Sequence, residues 1–134
     1  MREILFRGRD TAHNWHYGVP LIFTEDYVCI IRPHTYNKMV ILETIGQYTG
    51  LTDKNGTKIF EGDIVKDFIP FNFTLNGQKL YKENTYIVEY SNKECGFIPF
   101  CEEGYDGVPI IEECVVIGNI HDNPELLAES EDSE

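Results

Sequence analysis

The sequence predicts a mainly β protein built as a small SH3-like or β-barrel domain, and three observations carry that expectation. Val, Ile, Tyr, Phe and Thr are plentiful while Ala is nearly absent, a composition that suits pleated, half-buried surfaces. The apolar runs are short and are punctuated by Gly, Pro, Asn and Asp, as in chains of many short strands. With 134 residues and 42% hydrophobic content, the chain can bury roughly two-thirds of its unfolded surface and needs no disulfide or metal to hold a core. The expected organisation is a single domain over residues 1–127. It has an N-terminal β-hairpin extension, a protruding β-ribbon and a short C-terminal helix, with an acidic disordered tail at 128–134.

The elements follow in order. EILFR (3–7) alternates apolar and polar residues, and GRDTAHN after it is rich in turn formers. WHYGVPLIF (15–23) reads as a strand broken by Gly18 and Pro20, which marks a bulge or an edge. The connector Asp10 to Asn14 has hairpin length, so the first two strands should pair antiparallel. YVCII (27–31) is a third strand, ended by Arg32-Pro33, and MVILETI follows a loop. KIF (58–60) and DIVKDFI (63–69) are strands. Pro70 to Asn84 reads as a polar excursion folded back at Asn76-Gly77, a strong two-residue hairpin signal flanked by FNFTL (71–75) and QKLYKE (78–83). TYIVEY (85–90), FIPF (97–100) and VPIIEECVVIGNI (108–120) supply the remaining strands. In HDNPELL, Asn123 can cap, Pro124 needs no N–H donor at the first helical position, and Glu125 suits the positive end of the dipole.

The most informative stretch is TIGQYTGLTDKNGTKIFEGDIV (44–65). Asp53-Lys54-Asn55-Gly56 is a tight turn in which Asp and Asn bond locally to the backbone and glycine supplies a positive φ. Thr49-Gly50-Leu51 suggests a second bend and Glu61-Gly62-Asp63 a third, just before Ile64-Val65 enter the core. Gly46, Gly50, Asp53, Asn55, Gly56, Gly62 and Asp63 therefore read as residues that specify a fold. A catalytic reading competes, because Glu61 and Asp63 can form a carboxylate pair for acid–base work or a hard cation. Gly62 between them argues for a bend instead. No Ser-His-Asp order, Walker loop or H-E-x-x-H pattern occurs, so no catalytic residue is assigned.

Other chemistry-bearing residues are scattered. Cys29, Cys95, Cys101 and Cys114 contain no C-x-x-C pair, which favours reduced thiols over a zinc site. His13 and His16 flank Asn14-Trp15 and read as solvent-facing polar filler, while His34 and His121 lie alone in loops. Trp15 and Tyr17 share a strand face and read as core or interface anchors. No cofactor or metal is expected.

Charge and length limit the partners. The net charge is −12, and the last ten residues, ELLAESEDSE, hold five of the acids, so the body is acidic as well. Such a surface repels nucleic-acid phosphates and anionic lipid. No apolar run approaches the ~20 residues that span a bilayer. MREILFRGRD is charged from its second residue and has no signal-peptide core, so a cytoplasmic location is expected.

EILFRGR, the W-x-Y-G of Trp15, Tyr17 and Gly18, the whole of TIGQYTGLTDKNGTKIFEGDIV, and GNI-HDNPELL together resemble the YopX family of phage and prophage proteins. The similarity covers residues 2 to about 127. Glu43 stands where a loop proline is expected, and the acidic tail is unusual. The resemblance implies a mainly β, barrel-like domain of unassigned biochemical function, a phage or prophage origin and hence a bacterial cytoplasm. It brings no catalytic residues to transfer.

The aromatic surplus and the ribbon carrying Phe71, Phe73, Leu75, Leu80 and Tyr81 then point to a non-enzymatic interaction or assembly module. Trp15, Tyr17, Phe71, Phe73, Leu75 and Tyr81 are its expected interface. The partner is the protein itself, as a homo-oligomer, or a phage or host protein. A nucleic-acid-linked SH3-like barrel and an acidic inhibitor of a host protein are the alternatives.

Overall fold

The computed structural model describes residues 3–23, 27–31, 37–99 and 114–127. Its strands belong to two compact units, residues 1–50 and 51–134.

The first unit begins with a hairpin of β1 (Phe6–Arg9) and β2 (Trp15–Phe23), paired antiparallel with Gly8 opposite His16 and Arg7 opposite Tyr17. Strands β3 (Tyr27–Ile31) and β4 (Asn37–Ile41) continue the meander, and β5 (Gly46–Thr52) returns to β1, giving the order β4-β3-β2-β1-β5. The irregularity expected in β2 is a bulge: the register shifts between Pro20 and Ile22, and β2 lies between β1 and β3 rather than at an edge.

Ile30 and Val40 form the fully buried core of this unit, with Leu42 and Ile45 packed against them. A Cβ on Gly8 would lie 2.6 Å from Val40 Cγ2 and 2.8 Å from Ile45 Cδ1. Strand β1 thus meets β4 face to face although two strands separate them in the sheet, so the sheet is strongly curled. Between β4 and β5 a 3-10 turn, Leu42–Thr44, is held by Thr44. Its Oγ1 donates to the Ile41 carbonyl (2.7 Å) and accepts the Arg9 N–H (2.8 Å).

The second unit starts within β5, whose last residues, Leu51 and Thr52, lead to its neighbour β6 (Lys58–Phe60). Strands β7 (Asp63–Leu75) and β8 (Gln78–Ile87) form a long hairpin. Asn76 and Gly77 both take positive φ, 53° and 80°, the two-residue turn that matches strand twist. β9 (Glu89–Ser91) and β10 (Gly96–Ile98) form a small hairpin in which Tyr90 and Phe97 meet edge-on at 5.4 Å. β11 (Val115–Asn119) pairs antiparallel with β7. Ile59, Val65, Val88 and Cys114 are the buried core, with Tyr86, Phe97 and Val116 against it. One helical turn at 125–127 follows Pro124, as expected from the sequence.

Several expectations need correction. The protein is mainly β, but among the described residues the strands lie in open antiparallel sheets and no barrel closes. The expected ribbon is present as the distal part of the β7–β8 hairpin, which stays paired to the Asn76-Gly77 tip with a register shift between Pro70 and Thr74. The bend expected at Thr49-Gly50-Leu51 lies within strand β5, which begins with Gly46 paired to Arg7. The tail at 128–134, the Arg32-Pro33 loop and residues 108–113 lie outside the described residues.

Candidate functional site

The corner at 53–63 is organised by two carboxylates. Asp53 is buried, and its Oδ1 accepts the N–H groups of Asn55 (2.8 Å) and Thr57 (2.9 Å). Its Oδ2 accepts the Val116 N–H at 2.9 Å, tying the turn to β11. Burial raises its pKa, but the amides of Val116, Thr57 and Asn55 outweigh this and leave the carboxyl below its ordinary value. Gly56 closes the turn at φ 82°. Asp63 Oδ2 accepts the Phe60 N–H at 2.7 Å. Between them Gly62, at φ 92°, donates its N–H to the Val88 carbonyl and accepts from Ile120 N–H. Gly50 has φ 89° yet remains within β5. Of the seven residues, Gly46 and Gly50 lie in strand β5, Gly50 with a positive φ, while Asp53, Asn55, Gly56, Gly62 and Asp63 serve the turns at 53–57 and 60–63 or the hydrogen bonds that fix them.

A second carboxylate site lies in the first hairpin loop. Asp10 Oδ1 accepts the N–H groups of Ala12 and Asn14, both at 2.9 Å, while Oδ2 stands 2.7 Å from His16 Nε2 and 3.9 Å from Lys38 Nζ. The His16 hydrogen bond and the Asn14 amide hold the Asp10 carboxyl at about 2. His16 is buried, so it is not the solvent-facing filler its sequence neighbourhood suggests. It stands opposite inward-facing Gly8 in the closed hairpin. His13, at φ 68°, is the exposed member of the pair. On the other face of this hairpin the Arg7 guanidinium stacks 4.6 Å over the half-buried Trp15 ring.

Asp67 differs from both. It is 1% exposed, and neither carboxylate oxygen has a hydrogen-bond partner. Asn84 stands opposite it in register, and its Nδ2 is equally buried and unbonded. Burial raises the Asp67 carboxyl above its ordinary value, with Asn84 offsetting only part. Cys114 is completely buried nearby; burial, followed by the charges of Asp67 and Asp53, pushes its thiol up to about 12. Such a thiol is unreactive. Sequence reading missed Asp67 because DIVKDFI looks like a half-exposed strand.

The C-terminal segment carries another tie that the sequence pattern does not single out. Asn119 Oδ1 accepts the N–H groups of His121 (3.0 Å) and Asp122 (2.9 Å). Asn123 Oδ1, expected to cap the helical turn, instead accepts the Asn119 N–H at 3.2 Å.

The expected interface residues divide. Tyr17, Leu75 and Tyr81 are exposed, Trp15 is half-buried, and the side chains of Phe71 and Phe73 lie outside the described residues. Cys95 is an exposed free thiol. Among the described residues no three His, Cys, Asp or Glu side chains are grouped to hold a metal. No described helix is long and apolar enough to cross a membrane.

A family model described as YopX protein matches residues 11–128. The fold is similar to the crystal structure of protein EF1440 from Enterococcus faecalis, with a TM-score of 0.56 and 26% identity. The match covers 95% of this chain and 99% of that one. No curated protein matches the sequence.

Proposed function

The chain belongs to the YopX family, and from that premise we propose that it is a non-enzymatic, self-associating interaction or assembly module, encoded by a phage or prophage and working in the bacterial cytoplasm. The observation that carries this reading is the set of large apolar side chains exposed on strands. Tyr17, Val19, Leu21 and Met39 lie in the first unit, Leu75 and Tyr81 in the second. Apolar surface held outward on rigid strands is what association buries. The partner is a second copy, or a phage or host protein with a matching face.

The buried carboxylates support the non-enzymatic half of the reading. Asp10, Asp53 and Asp63 accept backbone N–H groups of their own turns, so their oxygens fix main chain. Light scattering on the purified chain at micromolar concentration tests the self-association. A mass above 15.5 kDa is expected, and a particle that stays at that mass throughout removes the claim.

A further inference from the structure

We infer that two copies of this chain meet through the outer face of β2, β3 and β4 in the first unit, an inference that rests on the self-association proposed above. A solvated antiparallel sheet ordinarily alternates, apolar inward and polar outward. Strand β2 does not. Between its inward residues His16 and Gly18, it turns out Tyr17 and then Val19, 42% and 51% exposed. Leu21, at the bulge, is 49% exposed, and Met39 on β4 is 52% exposed. WHYGVPLIF, YVCII and NKMVI together contain one formal charge, Lys38. Lys38 is paired in register with buried Ile30, and its ammonium lies 3.9 Å from Asp10, so that charge serves the inner face. The described outward side chains of β2 and β4 are thus apolar, and aromatic, aliphatic and Met side chains without Lys or Glu are the composition of an interface core.

The charge distribution says what covers it. In residues 1–50, Arg2, Arg7, Arg9, Arg32 and Lys38 balance Glu3, Asp10, Glu25, Asp26 and Glu43. The whole net charge of −12 therefore belongs to residues 51–134. A second copy approaching the acidic unit meets like charge, whereas one approaching the first unit meets residues whose formal charges sum to zero. A basic partner would be drawn to the acidic unit and gains nothing from this face. Arg7, paired with Tyr17 on this face, is only 7% exposed with its guanidinium over the Trp15 ring, so the exposed side chains stay apolar. An apolar face is complementary to itself, the requirement of a two-fold contact.

The experiment compares three chains by light scattering over a concentration series: wild type, Val19→Lys with Met39→Lys, and Leu75→Lys with Tyr81→Lys. All four positions are about half exposed or more, and far-UV circular dichroism checks that each variant is folded. Wild type and the Leu75/Tyr81 variant are expected at twice the 15.5 kDa chain mass, and the Val19/Met39 variant at the chain mass or with a dissociation constant at least about tenfold weaker. If the Val19/Met39 variant associates like wild type, this face is not the interface, and loss of association in the Leu75/Tyr81 variant would place it on the ribbon. In either case self-association itself survives. Wild type at the chain mass overturns both.

Discussion

Asp53 and Asp67 show how one residue type takes opposite roles through what meets its oxygens. Asp53 sits among N–H groups that need an acceptor, so ionisation is favoured and the side chain fastens a turn to a strand. Asp67 is buried with only Asn84 beside it to offset part of the cost, and its burial opposes ionisation. The sign of the pH effect follows. Below the ordinary aspartate pKa of about 3.9, folded and unfolded chains both hold the proton on residue 67. As pH rises past that value, the unfolded chain releases it while the folded chain keeps it. Asp67 thus costs stability increasingly until its raised folded pKa is passed, after which the cost is constant. Asp67→Asn removes the titration and keeps the shape. It should raise the thermal midpoint at pH 7, with a gain on the order of 1–3 kcal/mol that shrinks toward acid pH. Midpoints for the two proteins that run parallel from acid to neutral pH would show that the carboxylate is ionised and well solvated.

At the scale of elements, what the sequence revealed depended on whether local residues alone decide the outcome. β2, β3 and β6 begin and end where their apolar runs and punctuation place them, at 15–23, 27–31 and 58–60. The Asn76-Gly77 turn needs only its own two residues. β5 was illegible because Gly46 and Gly50 look like breakers, whereas pairing with β1, from a distant part of the chain, holds Gly46-Gln47-Tyr48 extended. β7 hid Asp67 for a similar reason: Asp63, Ile64, Val65 and Asp67 are all buried, so period-two alternation fails where the strand is covered on both faces. His16 was misread because its partner, Asp10, belongs to the loop before it and is reached only once the hairpin closes. Gly8 is the clearest packing constraint on an element. A methyl there enters space held by Val40, Ile45 and Ile30, so Gly8→Ala should cost about 1–3 kcal/mol in urea unfolding. Adding Val40→Ala opens the closest contact, and the double variant should be less destabilised than the two single costs combined. Strict additivity would mean that the approach of β1 to β4 does not fix the glycine.

For the whole molecule, the uneven division of charge makes salt a discriminating variable. If the copies join through the apolar β2–β4 face, the acidic residues of the second unit contribute only repulsion between copies, and screening relieves it. Raising ionic strength from about 0.01 M to about 0.15 M shortens the Debye length from ~30 Å to ~8 Å. The dissociation constant should therefore fall over that range, while the apolar contact itself changes little. The rival arrangement sets the arginines, all four of them in the first unit, against the acidic second unit of another copy. That contact gains from attraction at low salt and weakens on screening, so its dissociation constant rises. The two arrangements give opposite signs in one sedimentation titration. Tightening with salt supports the apolar face, and weakening assigns the association to charge.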